Sequence, residues 1–123
     1  MNQDNYIYKE KRPWGSFCVI QEEESYKIKK IEVNSGHRLS YQLHKKRSET
    51  WIIINGNGKI LLDDIEYKYS PGDTFVIPKG IKHRIENNSK DKTVFIEVQT
   101  GNYFGEDDIV RLEDDYGREG TND

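Results

Sequence analysis

Gly36-His37-Arg38-Leu39-Ser40-Tyr41-Gln42-Leu43-His44-Lys45-Lys46-Arg47-Ser48-Glu49, answered by Gly72-Asp73-Thr74-Phe75-Val76-Ile77-Pro78-Lys79-Gly80-Ile81-Lys82-His83, decides how this chain is read. Side chains alternate between the two faces of a strand, so Gln42 and His44, two residues apart, point to the same side of a sheet. Glu49 follows a short polar run, Lys45-Lys46-Arg47-Ser48, that can turn the chain, and it leads directly into Thr50-Trp51-Ile52-Ile53-Ile54. A carboxylate at the start of that next strand can face back toward Gln42 and His44. His83 comes just after Pro78-Lys79-Gly80, a turn that closes the strand expected at 74–77. The two segments therefore bring Gln42, His44, Glu49 and His83 within reach of one divalent metal. Two imidazoles, a carboxylate and a weak amide oxygen leave coordination positions open for water or substrate. That suits a catalytic site, since structural zinc sites are usually closed by four strong ligands. His37, in the turn-like Ser35-Gly36-His37, falls outside the set.

Outward from these segments the chain is a succession of short β-branched and aromatic runs separated by turn residues. Strands are expected at 16–21, 26–33, 38–44, 50–54, 59–62, 65–69, 74–77, 83–87 and 93–100. Asn55-Gly56 reads as a hairpin turn, and Asp63-Asp64 and Pro71-Gly72-Asp73 separate further runs. Helical periodicity is confined to a weak trace at 107–112. Short strands at this spacing predict an all-β fold, an antiparallel barrel in which inward residues of several strands converge on a ligand in its mouth. One domain is expected over 12–118, preceded by a polar arm at 1–11 and followed by a tail at 119–123. Tyr103, Phe104, Ile109, Val110, Leu112 and Tyr116 interrupt the acidic C-terminal stretch, so part of it is expected to pack on the barrel or on a partner subunit.

At 123 residues the chain has room for one core. Hydrophobic and charged residues each make up 33% of it, so that core must come from strands with one wet face. The net charge of −3 is spread over interspersed positive and negative residues, which argues against nucleic acid or a membrane surface as the main partner. Cys18, the single cysteine, can form no internal disulfide and is read as packing. With no apolar run long enough for a signal peptide or a membrane span, a cytoplasmic location is expected.

The two motifs resemble those of the cupins. The first cupin frame is met by Gly36, Gln42, His44, Glu49 and Gly56, with glutamine in place of the first histidine, and the second by Gly72, Pro78, Gly80, His83 and Asn87. A narrower resemblance runs from Arg12 to Arg118. Arg12-Pro13-Trp14-Gly15, Leu39-Ser40-Tyr41-Gln42-Leu43-His44, Arg47-Ser48-Glu49-Thr50-Trp51, His83-Arg84-Ile85-Glu86-Asn87, Ile96-Glu97-Val98-Gln99-Thr100-Gly101 and Gly105-Glu106-Asp107-Asp108-Ile109-Val110-Arg111 look like the type II mannose-6-phosphate isomerase domain. Where that family usually carries histidines, this chain has Lys45, Lys46 and Thr50.

The resemblance implies a cupin-type double-stranded β-helix and a metal-dependent isomerase interconverting mannose 6-phosphate and fructose 6-phosphate. It implies Gln42, His44, Glu49 and His83 as ligands of one divalent ion, zinc first, with manganese, iron, cobalt and nickel also tolerating mixed nitrogen and oxygen donors. Arg47 matches a family arginine implicated in isomerase function. The phosphate needs cations at the pocket rim, for which Arg84, Lys82, Lys46 and Arg12 are the candidates. Glu97 or Glu86 could serve as general base if one of them points inward, and Trp14, Trp51 and Tyr103 could line a sugar site. Another sugar or nucleotide-sugar isomerase or epimerase, and a non-catalytic cupin binding sugar or metal, remain as alternatives. A homodimer paired through exposed edges is the expected assembly.

Overall fold

The computed structural model describes residues 6–118; the expected tail at 119–123 and the first five residues of the expected arm lie outside it. Eleven strands, all paired antiparallel, form two sheets. They are β1 (Tyr8–Arg12), β2 (Gly15–Glu22), β3 (Tyr26–Val33), β4 (Tyr41–Leu43), β5 (Arg47–Asn55), β6 (Gly58–Leu62), β7 (Ile65–Tyr69), β8 (Thr74–Ile77), β9 (His83–Asn87), β10 (Thr93–Gly101) and β11 (Val110–Glu113). One sheet runs β1-β2-β3-β10-β5-β8 and the other β11-β4-β9-β6-β7. Their facing sides enclose a core of Trp14, Phe17, Ile31, Val33, Trp51, Ile53, Ile60, Ile85 and Phe95. Among the described residues no helix is long and apolar enough to cross a membrane.

Four expected strands appear with their expected bounds: β3, β7, β8 and β9. Four readings are corrected. Residues 8–11 of the expected arm, with Arg12, form strand β1, zipped onto β2 from Tyr8↔Val19 to Arg12↔Gly15. Residues 110–113 are strand β11 on the edge of β4, where a helical trace was expected; four residues paired to a neighbour need no helical periodicity. The strand expected at 38–44 contracts to three residues, with Arg38 making an isolated bridge to Glu86.

Asn55-Gly56, finally, is no hairpin. Both edges of β5 are taken by β10 and β8, and both edges of β6 by β7 and β9, so this dipeptide carries the chain from one sheet to the other. Gly56 has φ of 100°, and any Cβ there would run into Thr93. The tight hairpin is one turn later, at Asp63-Asp64 between Leu62 and Ile65, with φ of 48° and 69°. Positive φ at both central residues is what a two-residue hairpin turn demands, and aspartate tolerates it.

The end of β9 is tied to the loop that follows it by Asn87, which is 1% exposed. Its Nδ2 donates to the Val33 and Asp91 carbonyls, both at 2.8 Å, and its Oδ1 accepts from Ser89 N at 2.9 Å and Ser89 Oγ at 2.7 Å. Removing that amide strands buried polar groups. Asn87→Ala is expected to lower the unfolding free energy by about 2–3 kcal/mol, read as a shift in the midpoint of urea unfolding at unchanged slope.

Candidate metal centre and its cavity

Gln42 in β4 pairs with His83 in β9. His44 lies one residue past β4, and its carbonyl accepts from Gly80 N at 2.7 Å, which ties the 78–80 turn to the first motif. Gly80 has φ of 79°, a left-handed conformation that glycine adopts without cost. Glu49 lies on the inward face of β5, in register with Ile77 on one side and Gln99 on the other. These placements bring one ligand atom each from His44, Glu49 and His83 within 4.8 Å of one another.

The donor chemistry of the triad fits a cation. His44 Nδ1 lies 2.7 Å from the Asp108 carbonyl and His83 Nδ1 lies 3.0 Å from the Ile81 carbonyl. A carbonyl only accepts, so both Nδ1 atoms carry the proton and both Nε2 atoms present lone pairs. Those lone pairs face Glu49: His44 Nε2 is 3.3 Å from Oε2 and His83 Nε2 is 3.8 Å from Oε1. Acceptors turned toward a carboxylate are mutually unfavourable unless a cation lies between them, and His83 Nε2 is buried with no hydrogen-bond partner.

Arg47 supplies positive charge at the same place. Its Nε donates to Glu49 Oε2 at 2.8 Å and its Nη2 reaches His44 Nε2 at 3.3 Å. One lone pair cannot serve both, so a metal at the triad requires the guanidinium to release His44. Trp51 Nε1 donates to the other Glu49 oxygen at 3.0 Å. Burial pushes the Glu49 carboxyl up, but the imidazole of His44 and the guanidinium of Arg47 outweigh it and hold Glu49 well below the usual carboxylate range. Burial holds His44 down at about 4 and lowers His83 as well, so both imidazoles are neutral near pH 7, the form that ligates metal. Glu97 behaves in the opposite way: burial, then the neighbouring Glu49 charge, push it up to about 8. Its Oε2 accepts from Gln99 Nε2 at 2.7 Å.

A cavity opens beside the triad, with about 560 Å³ of empty space that includes open solvent at its mouth. Gln42, His44, Arg47 and Glu97 line it together with Arg12, Trp14, Lys29, Glu106, Ile109, Arg111 and Arg118. Gln42 Oε1 accepts from Ser40 Oγ at 2.9 Å. Of the two carboxylates open as general base, Glu97 lines the cavity while Glu86 pairs with Arg38 at 3.0 Å outside it. Of the four expected phosphate cations, Arg12 alone lines the cavity, beside its ion-pair partner Glu10. Arg84 projects from the opposite face of β9 to His83, where it donates to the Leu39 carbonyl at 2.8 Å and to Glu113. Lys82 pairs with Asp64 at 2.8 Å, and the Lys46 ammonium lies over the Tyr103 ring at 4.6 Å. His37 is hydrogen-bonded to Tyr116 OH at 2.7 Å, away from the triad. Trp14 reaches the cavity; Trp51 is core, its ring tilted 34° against Phe95 with centroids 4.5 Å apart.

Five charged contributors escaped the sequence reading: Lys29, Glu106, Asp108, Arg111 and Arg118. The Asp108 carboxylate accepts from the backbone N–H groups of Lys45 and Lys46, each at 2.9 Å, while its carbonyl holds His44 Nδ1. It thereby fixes both the turn between Gln42-x-His44 and Glu49 and the orientation of one imidazole. An aspartate amid an acidic tail gives no sequence sign of this.

The family model described as "Mannose-6-phosphate isomerase C-terminal" matches residues 2–114. The mannose-1-phosphate guanylyltransferase of Salmonella montevideo is 43% identical over 107 residues, 87% of this chain and 23% of that protein. The alginate biosynthesis protein AlgA of Pseudomonas aeruginosa is 42% identical over 107 residues, 87% of this chain and 22% of that protein. The chain thus spans less than a quarter of the length of these curated relatives. Among solved structures the Schizosaccharomyces pombe Cnp3 cupin domain superposes with a TM-score of 0.68 at 17% identity, over 70% of this chain and 64% of that one, a likeness of fold.

If Asp108 orients His44 for metal, Asp108→Ala should weaken binding of zinc about ten- to a hundredfold, the usual cost of losing an outer support of a ligand. Titration of the metal-free protein with zinc against a competing chelator measures this, with circular dichroism checking that the sheets persist. His37→Ala should leave the affinity unchanged.

Proposed function

The chain belongs to the mannose-6-phosphate isomerase C-terminal family, and on that premise we propose that it is a metal-dependent aldose-ketose isomerase interconverting mannose 6-phosphate and fructose 6-phosphate. The observation that carries the reading is the buried His44, Glu49 and His83 triad set beside a cavity lined by Gln42, Arg47 and Glu97. Substitution of lysines and a threonine for family histidines leaves that set intact. Lys45 and Lys46 are exposed, and Thr50 lies on the outer face of β5, in register with Val98 and Val76.

Isomerisation moves a proton between two adjacent carbons by way of an enediolate. His44, Glu49 and His83, with Gln42 beside them, would hold the divalent ion, which when bound supplies a Lewis acid for the carbonyl and hydroxyl oxygens. Glu97 is the base. Its carboxylate takes the proton from C2 of the open-chain aldose, the electron pair of that C–H bond passes into the enediolate, a proton moves from O2 to O1, and the same carboxyl returns its proton to C1. The assignment rests on position, since Glu97 faces the cavity from the middle of β10 with its second oxygen steadied by Gln99. Arg47 faces the same space with Nη1 buried and unpartnered, a donor available to the developing oxyanion. Two flanking strands hold Glu97 in register with Lys29 and Trp51, so the base has little freedom to drift.

A coupled assay for fructose 6-phosphate formation from mannose 6-phosphate tests the reading. Glu97→Gln is expected to lower kcat by about a hundredfold or more while leaving the bound metal in place. Chelation should abolish turnover and readdition of the ion restore it. Stoichiometric metal without turnover would move the activity to another sugar.

A further inference from the structure

Lys27 and Lys29 occupy successive inward positions of β3 and are 8% and 3% exposed. Lysine ordinarily keeps its ammonium in water, since taking a charge out of it costs several kcal/mol unless a counter-charge follows. Here the compensation comes largely from the C-terminal segment. Glu106 Oε2 lies 2.7 Å from Lys29 Nζ and 3.7 Å from Lys27 Nζ. Lys27 has two other neighbours, the Phe104 carbonyl at 3.4 Å and Glu22 at 3.8 Å. One carboxylate thus serves two buried ammoniums. It is also the most loosely housed member of the trio: its side chain is 43% exposed and it belongs to the turn at 105–108, whereas both lysines are fixed within a paired strand.

Lys29 and Glu106 both line the cavity, and Arg12, Arg111 and Arg118 line it too. A phosphoryl group carries close to two negative charges and three strong acceptor oxygens, so it can bond more donors than a carboxylate can. We propose that Lys29, with Arg12, Arg111 and Arg118, forms the anion subsite of this cavity, taking the phosphoryl group of a phosphomonoester, and that Glu106 is its internal stand-in, giving up Lys29 as the phosphate arrives. This rests on the cavity being a phosphosugar site and adds which residues hold the phosphate. Arg12 and Arg118 also have carboxylate partners, Glu10 and Asp114, but they line the cavity, whereas three of the cations first expected there do not: Arg84 and Lys82 pair with Glu113 and Asp64, and Lys46 lies over the Tyr103 ring.

Two anions drawn to the same buried ammonium repel one another, which gives the exchange a signed test. Calorimetric titration of the full chain, metal-loaded and after chelation, is carried out with inorganic phosphate, mannose 6-phosphate and mannose. Glu106→Gln is expected to tighten phosphate binding about three- to tenfold, because the competing closed form is lost. Lys29→Met is expected to weaken it about tenfold or more, Lys82→Gln to leave it unchanged, and mannose to bind weaker than its phosphate. Should Lys29→Met fail to fold, the sign for Glu106→Gln decides alone, since that residue lies on an exposed turn. Phosphate binding unchanged or weakened in a folded Glu106→Gln protein would overturn the proposal, as would an equal loss in Lys82→Gln. Affinity for phosphate that vanishes on chelation would place the anion on the metal and overturn it as well. Phosphate binding with the expected signs but no turnover of mannose 6-phosphate would sink the isomerase reading and leave the subsite standing.

Discussion

Glu49 is the constraint around which the interior is arranged. A carboxylate 2% exposed is tolerable only where the surrounding groups repay its lost hydration. Arg47 and Trp51 each donate to one of its oxygens, His44 and His83 turn their Nε2 atoms toward it, and its charge adds to burial in pushing the Glu97 carboxyl up. Every one of these groups is buried. None could be removed without leaving another charge or lone pair uncompensated, so the ionic cluster specifies side-chain positions as strictly as close packing does.

The cluster sits at one end of a barrel whose other end is apolar, and the boundary can be followed strand by strand. Inward residues of β3 run Lys27, Lys29, Ile31, Val33; those of β10 run Gln99, Glu97, Phe95, Thr93; those of β5 run Arg47, Glu49, Trp51, Ile53. Register places Glu97 between Lys29 and Trp51, and Gln99 between Lys27 and Glu49, so the charged rows lie side by side across three strands. Phe95, Ile53 and Val33, all 1% exposed or less, close the apolar end. A continuous apolar floor beneath a charged cavity excludes water from one side of the triad, and lower local polarity strengthens each electrostatic contact made there.

This division explains what the sequence did and did not reveal. The architecture was legible because turn residues bounded most of the strands, and the Gln42-x-His44, Glu49 and His83 positions because a strand period of two and one turn fix where they point. Inward charge was not legible. Within β10, Val94, Ile96 and Val98 alternate with Phe95, Glu97 and Gln99, and an apolar-in rule would bury the aliphatic set. The structure buries the other set, and Ile28 beside Lys27 and Lys29 shows the same inversion. The rim cations failed for a related reason. Arg84 is next to His83 in sequence, and adjacency in a strand means opposite faces, so proximity to a ligand placed it away from the cavity.

The C-terminal segment was the hardest part to read, because its acidic composition suggests solvent, yet it forms one wall of the site. Its edge strand β11 pairs with the three residues of β4, a strand too short to hold its place without a partner on each side. From that anchor the segment delivers Asp108 to the turn behind His44, Ile109 and Arg111 to the cavity lining, and Glu106 to the buried lysines. An ion pair secures it at the far end, Asp115 with Arg38, and Asp114 closes the last turn on Arg118 within the segment itself. The carboxylates that look like a solvated tail are therefore divided between fastening and function. Asp115, which fastens the segment, meets Arg38 on the surface, where exchange for another anion gains little. Glu106 meets ammoniums that the fold has already stripped of water, which is why a stronger anion entering the cavity can displace that carboxylate.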